Sequence, residues 1–125
     1  MKDIRNIAFI GAGNMTQSIV GGMCKSGYPA DKVWVSNPSN AKLEKMKSEL
    51  GVNTSNDNLE VVEKADAIVL AVKPQLMSEV CTHLRENVSN LSDKLIITIA
   101  AGIRIPKYRE YLGESIRLIR VMPNT

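Results

Sequence analysis

Residues 7–22 read "IAFIGAGNMTQSIVGG", and the fold turns on how this stretch divides. Its first four residues complete a continuous apolar run from Arg5 to Ile10. A strand with one solvated face alternates apolar and polar residues, whereas an unbroken run marks a strand buried on both faces of a parallel sheet. Gly11 ends the run. From Asn14 to Lys25, Met15, Ile19, Gly22 and Met23 recur on one helical face, and Gly27 suits the stop just past the helix end. Gly11 and Gly13 therefore sit in a turn that carries a buried strand straight into a helix.

The same alternation continues outward from this unit. "KVWVS" reads as a second strand and Asn40 to Leu50 as a second helix, apolar at Leu43, Met46 and Leu50. A short "GVNT" strand and a short helix from about Leu59 to Lys64 follow. "DAIVLAV" is a further strand, and Pro74 to Asn87 an amphipathic helix with Met77, Val80, Cys81 and Leu84 inward. "KLIITIA", a helical segment from Pro106 to Leu112, and "IRLIRVM" complete the chain. Strand and helix in strict turn predict an α/β fold, a doubly wound parallel sheet of about six strands with right-handed crossovers. The 125 residues form one domain with no repeats or linkers. Such sheets bind ligands at the carboxyl ends of their strands, where the strand order reverses.

Five strand ends then carry the candidate site. Gly11-Ala12-Gly13 has the spacing of the phosphate loop of Rossmann-like dinucleotide-binding domains, with helix amides and the helix dipole behind it. Its third small position is Thr16, whose branched side chain should hold the helix slightly off the strand. About 20 residues on, where an acid would hold ribose hydroxyls, the chain reads "VSNPSNAK" with no acid. Ser36, Asn37, Ser39 and Asn40 are hydrogen-bonding groups there, and Lys42 lies in the next helical turn. Polar groups and a cation without a carboxylate suit a 2′-phosphate, so NADPH is expected over NADH. The "NPSN" turn and cap are required in any case. Lys73 is thrown to the rim by Pro74, which disfavours helical geometry before it. Ala101-Gly102 and Pro123-Asn124-Thr125 follow the last two strands.

Composition excludes other classes. The net charge is +3 and aromatics make up 4% of the residues, so the scattered cations lack the stacking platform that nucleic-acid binders use. Cys24 and Cys81 read as free thiols in separate helices. His83 stands alone, which argues against a metal site. The charged start runs directly into a strand rather than a signal peptide, and no apolar run could span a bilayer; a cytoplasmic protein with no membrane partner is expected.

In this order and spacing, "IGAGNM", "AVKPQ", "AAG" and "VMPNT" resemble the amino-terminal half of the pyrroline-5-carboxylate reductase family. The resemblance covers the whole chain, and "AVKP" with "MPNT" is more specific than the glycine loop. It implies NADPH-dependent reduction of L-1-pyrroline-5-carboxylate to L-proline. It also implies cofactor contacts from Gly11, Gly13, Asn14, Met15, Ser36, Asn37, Asn58, Ala71, Val72, Lys73, Pro74, Ala101 and Gly102, with Asn58 near the ribose. Asn124 and Thr125 would lie toward the substrate. No general acid is assigned. The family continues past "MPNT" into a helical domain that forms the dimer, so residues 1–125 are expected to be the cofactor-binding domain of a homo-oligomeric enzyme. A stand-alone NADP-binding module and the cofactor domain of another 6-phosphogluconate dehydrogenase-like oxidoreductase are the alternatives.

Overall fold

A computed structural model describes residues 5–122. Six strands make one sheet: β1 (Ile7–Ile10), β2 (Val33–Ser36), β3 (Asn53–Ser55), β4 (Ala67–Leu70), β5 (Leu95–Thr98) and β6 (Arg117–Arg120). Five helices connect them: α1 (Asn14–Lys25), α2 (Asn40–Leu50), α3 (Asn58–Lys64), α4 (Pro74–Asn87) and α5 (Ile105–Leu112). Every pairing is parallel, in the order β3-β2-β1-β4-β5-β6. The path runs one way from β1 to β3, then crosses back past β1 to β4 and continues to β6. Right-handed crossovers place helices on opposite faces for the two directions. The core divides accordingly. Phe9, Val33, Val35 and Val69 pack with Val20 of α1 and with Leu43 and Met46 of α2. Ala8, Ile10, Ile68, Leu70 and Ile96 pack with α3, α4 and α5 on the other face.

The buried central strands account for the apolar runs seen in the sequence. Ala8, Phe9 and Ile10 are all buried, as are Ile68, Val69 and Leu70. The strands are shorter than those runs, because their carboxyl ends leave the ladder. Ala71 and Val72 extend past β4, and β3 begins at Asn53, two residues later than "GVNT" suggested. At its amino end β1 starts at Ile7, since Asn6 is engaged with Asp66 through both its N–H and its carbonyl.

The buried face of α1 also differs from the periodicity reading. Thr16 and Val20 face the sheet, while Met15, Ile19 and Met23 are half-buried on the flank and Gly22 is exposed. Thr16 is 1% exposed, and its hydroxyl has no hydrogen-bond partner among the described residues. An unsatisfied buried hydroxyl costs about 1–3 kcal/mol. Thr16→Val keeps the shape and removes that oxygen, so the melting temperature of the free chain should rise by about 4 °C, roughly 1 kcal/mol for a domain of this size.

Gly11 is fixed more tightly. It leaves β1 at φ +106°, and a Cβ there would stand 2.7 Å from the carbonyl oxygen of Ala71. Gly11→Ala combines a left-handed backbone with a clash against main chain that cannot swing away. Its cost should be about 3 kcal/mol or more, lowering the melting temperature by about 10 °C in a thermal scan. An unchanged melt would mean that this approach is not rigid.

Candidate functional site

At the carboxyl end of β1, beside β2 and β4, lies a cleft of about 270 Å³. This is the point where the strand order reverses. Its walls include Gly11, Ala12 and Gly13 of the glycine loop, Ser36, Asn37, Pro38 and Lys42 at the β2 end, Asn58, and Ala71, Val72 and Lys73 after β4. Ile10, Leu76 and Val80 complete the lining. Among the described residues, Lys42 and Lys73 are the charged ones on it and no carboxylate contributes.

The loop is built by hydrogen bonds that cross between strands. Gly11 N–H donates to Ser36 O at 2.9 Å and Ala71 N–H donates to Ile10 O at 2.9 Å, so the three strand tips remain in register beyond the ladder. Asn37 then turns inward: its Oδ1 accepts from Ala12 N–H at 3.1 Å and its Nδ2 donates to Ser39 O at 3.3 Å. Asn56 ties the same turn down through Asn37 O at 3.0 Å and Asn40 Oδ1 at 2.8 Å. Gly13 caps α1 in extended geometry without a side-chain cap, and the first helical bond runs from Gln17 N–H to Gly13 O. The amides of Asn14 and Met15, in the first turn, are among those a helix leaves without internal acceptors. They give this end of the cleft its positive character.

Ser36 and Asn58 form a second unit. Ser36 is fully buried and its hydroxyl donates to Asn58 Oδ1 at 2.6 Å. Asn58 Oδ1 is thereby engaged, and the same side chain, which lines the cleft, carries an NH2 donor. Asn58 itself opens α3, behind Asp57, whose carboxylate accepts from Leu59 N–H at 2.9 Å. On the far wall Lys73 precedes α4 in extended geometry and Pro74 occupies the first turn, as the Lys-Pro pair leads one to expect.

Of the residues singled out in the sequence as cofactor contacts, Gly11, Gly13, Ser36, Asn37, Asn58, Ala71, Val72 and Lys73 come together on this cleft, and Lys42, the cation expected near the second strand end, lines it with them. Asn14, Met15 and Pro74 stand next to lining residues without lining it. Ala101 and Gly102 lie apart from the lining, in an exposed turn after β5, with Gly102 at φ +83°. A buried pair supports that turn: Thr98 Oγ1 and the Tyr108 hydroxyl are 2.6 Å apart, and Thr98 Oγ1 accepts from Ala100 N–H. Burial raises the Tyr108 hydroxyl above its usual range and pushes the Cys81 thiol up to about 12, so neither is poised to ionise. Cys24 and Cys81 are free. Asn124 and Thr125 lie outside the described residues, as does Pro123. Sequence reasoning missed Leu76 as a wall residue, and it read Pro38 only as part of a turn and Val80 only as an inward helix position.

Among the described residues no cluster of His, Cys, Asp or Glu could hold a metal ion. No helix there is long and apolar enough to cross a membrane.

Residues 6–102 match the family model described as "NADP oxidoreductase coenzyme F420-dependent". A pyrroline-5-carboxylate reductase of Vibrio alginolyticus is 42% identical over 97% of this chain and 44% of its own length. The solved pyrroline-5-carboxylate reductase of Coxiella burnetii superposes with a TM-score of 0.93 at 40% identity, covering 98% of this chain and 45% of that one. The Plasmodium falciparum pyrroline carboxylate reductase, solved with NADP bound, gives a TM-score of 0.82 at 28% identity over 96% of this chain and 42% of that one. The chain thus spans less than half the length of these relatives. With a glycine loop, a reversal of strand order and a carboxylate-free cleft already in place, the family match is the remaining step: the chain belongs to the NADP oxidoreductase, coenzyme F420-dependent family.

Proposed function

We propose that the cleft at the β1, β2 and β4 tips binds the phosphates and adenosine ribose of NADPH. We further propose that the protein is the cofactor-binding part of a pyrroline-5-carboxylate reductase. The observation that carries the reading is the lining itself: the cations Lys42 and Lys73, the amide side chain of Asn58 and the glycine loop that leads into α1, with no carboxylate among the described lining residues. Such a wall suits the extra phosphate of NADPH and would not need the diol of NADH. Gly13 supports the fit independently. No protein atom lies within 4 Å of where its Cβ would stand, so the fold does not need glycine there for room. A ligand backbone lying against the loop would.

Bound there, the cofactor would supply the hydride that reduces the C=N bond of L-1-pyrroline-5-carboxylate to L-proline. Within the chain, Lys73 is cast as a ligand for ribose or phosphate rather than as an acid, because a cation beside a protonated imine would oppose its reduction. Ala101 and Gly102 would border the nicotinamide, and Asn124 and Thr125 the substrate. Exposed Ile119 in β6 and Val121 and Met122 just after it support packing of this domain against further protein, which in the proposed enzyme is a helical domain that also makes the homo-oligomer. A cytoplasmic setting accords with this chemistry.

Fluorescence titration with NADPH should show saturable binding to this chain, and a polypeptide extended to the length of the relatives should oxidise NADPH faster when pyrroline-5-carboxylate is added. Lys42→Gln removes an exposed cation at the β2 end without touching the core. It should weaken NADPH binding about fivefold, as expected for one partly solvated charge–phosphate contact, and change NADH binding less than twofold. Equal losses would place the 2′-phosphate elsewhere.

A further inference from the structure

The peptide joining Ala12 to Gly13 is the point at which this anion site is most easily undone. A trans peptide points its C=O and N–H in opposite directions. With the Gly13 N–H toward the cleft the peptide attracts phosphate; turned over, it would present the Ala12 carbonyl oxygen and repel it. On the Gly13 side sterics do not forbid the turned form, because the residue lacks a Cβ and the place one would occupy is open. A hydrogen bond does: Gln17 Nε2 donates to Ala12 O at 2.9 Å. The preceding peptide is held separately, through Ala12 N–H and Asn37 Oδ1. One side chain from the β2 end and one from α1 thus fix the two peptides on either side of Ala12.

We propose that Gln17, a half-buried residue outside the cleft lining, is a positioning residue of the site. By pinning the Ala12 carbonyl it keeps the Gly13 amide facing an anionic ligand. The inference rests on the cofactor reading of the cleft and adds to it a residue that touches no ligand.

Gln17→Met preserves length and loses the donor. NADPH is titrated by fluorescence against both proteins, 2′-AMP is titrated as a competitor that lacks the pyrophosphate, and thermal melts are recorded. NADPH affinity should fall about tenfold, the loss of one hydrogen bond to a charged group, while 2′-AMP affinity stays within twofold and the melt shifts by a few degrees at most. Unchanged NADPH affinity, or a parallel loss of both ligands, overturns the proposal. If the parent chain itself binds no NADPH, the cofactor reading fails first and takes this inference with it. Should Gln17→Met not fold, Gln17→Glu, whose ionised carboxylate cannot donate, is read by the same ratio of the two affinities.

Discussion

At Gly11 the backbone of β1 passes so close to the carbonyl of Ala71 that a single methyl group would stand 2.7 Å from it. That approach joins the tips of the two central strands, and the rest of the site is arranged around it. The bond from Gly11 N–H to Ser36 O brings in the third tip. With the three tips tied, α1 must start where it does, α4 must leave on the opposite wall at Lys73-Pro74, and a cleft is left between them. The reversal of strand order beside β1 ensures that no crossover helix fills that space.

Polar side chains behind the cleft finish what the backbone begins. Asn37, Ser36 and Gln17 spend hydrogen bonds on neighbouring groups, so that the Asn37 and Asn58 side-chain oxygens and the Ala12 carbonyl each meet a donor. Partly buried polar groups satisfied in this way are held in place, and a preorganised site loses little on binding an anion. Thr16, in the helix that supports the loop, is the exception, a buried hydroxyl without a partner among the described residues.

The sheet and its helices were legible because each element has its own signature. Central strands such as "DAIVLAV" are apolar throughout, and α2 and α4 end where the periodicity ends. What periodicity cannot tell is which of two adjacent stripes meets the sheet, so α1 turns Thr16 and Val20 inward rather than Met15 and Ile19. Eight of the residues anticipated for the site meet on the cleft, since strand-end motifs point to a shared edge. The roles of Asn37 and Gln17 were not legible. Each depends on one hydrogen bond to Ala12, and neither residue type announces such a bond. The Thr98–Tyr108 pair joins residues 10 apart across two elements and escaped for the same reason.

The account stands or falls on where a phosphorylated dinucleotide touches this molecule. Amide shifts recorded by NMR during titration with NADP+ answer that residue by residue. The account predicts the largest changes at Gly11, Gly13, Asn14, Asn58 and Lys73, with the opposite end of the sheet around Asp66, Asp93 and Arg117 unmoved. Changes concentrated at that opposite end, or none at the glycine loop at saturating cofactor, would contradict it.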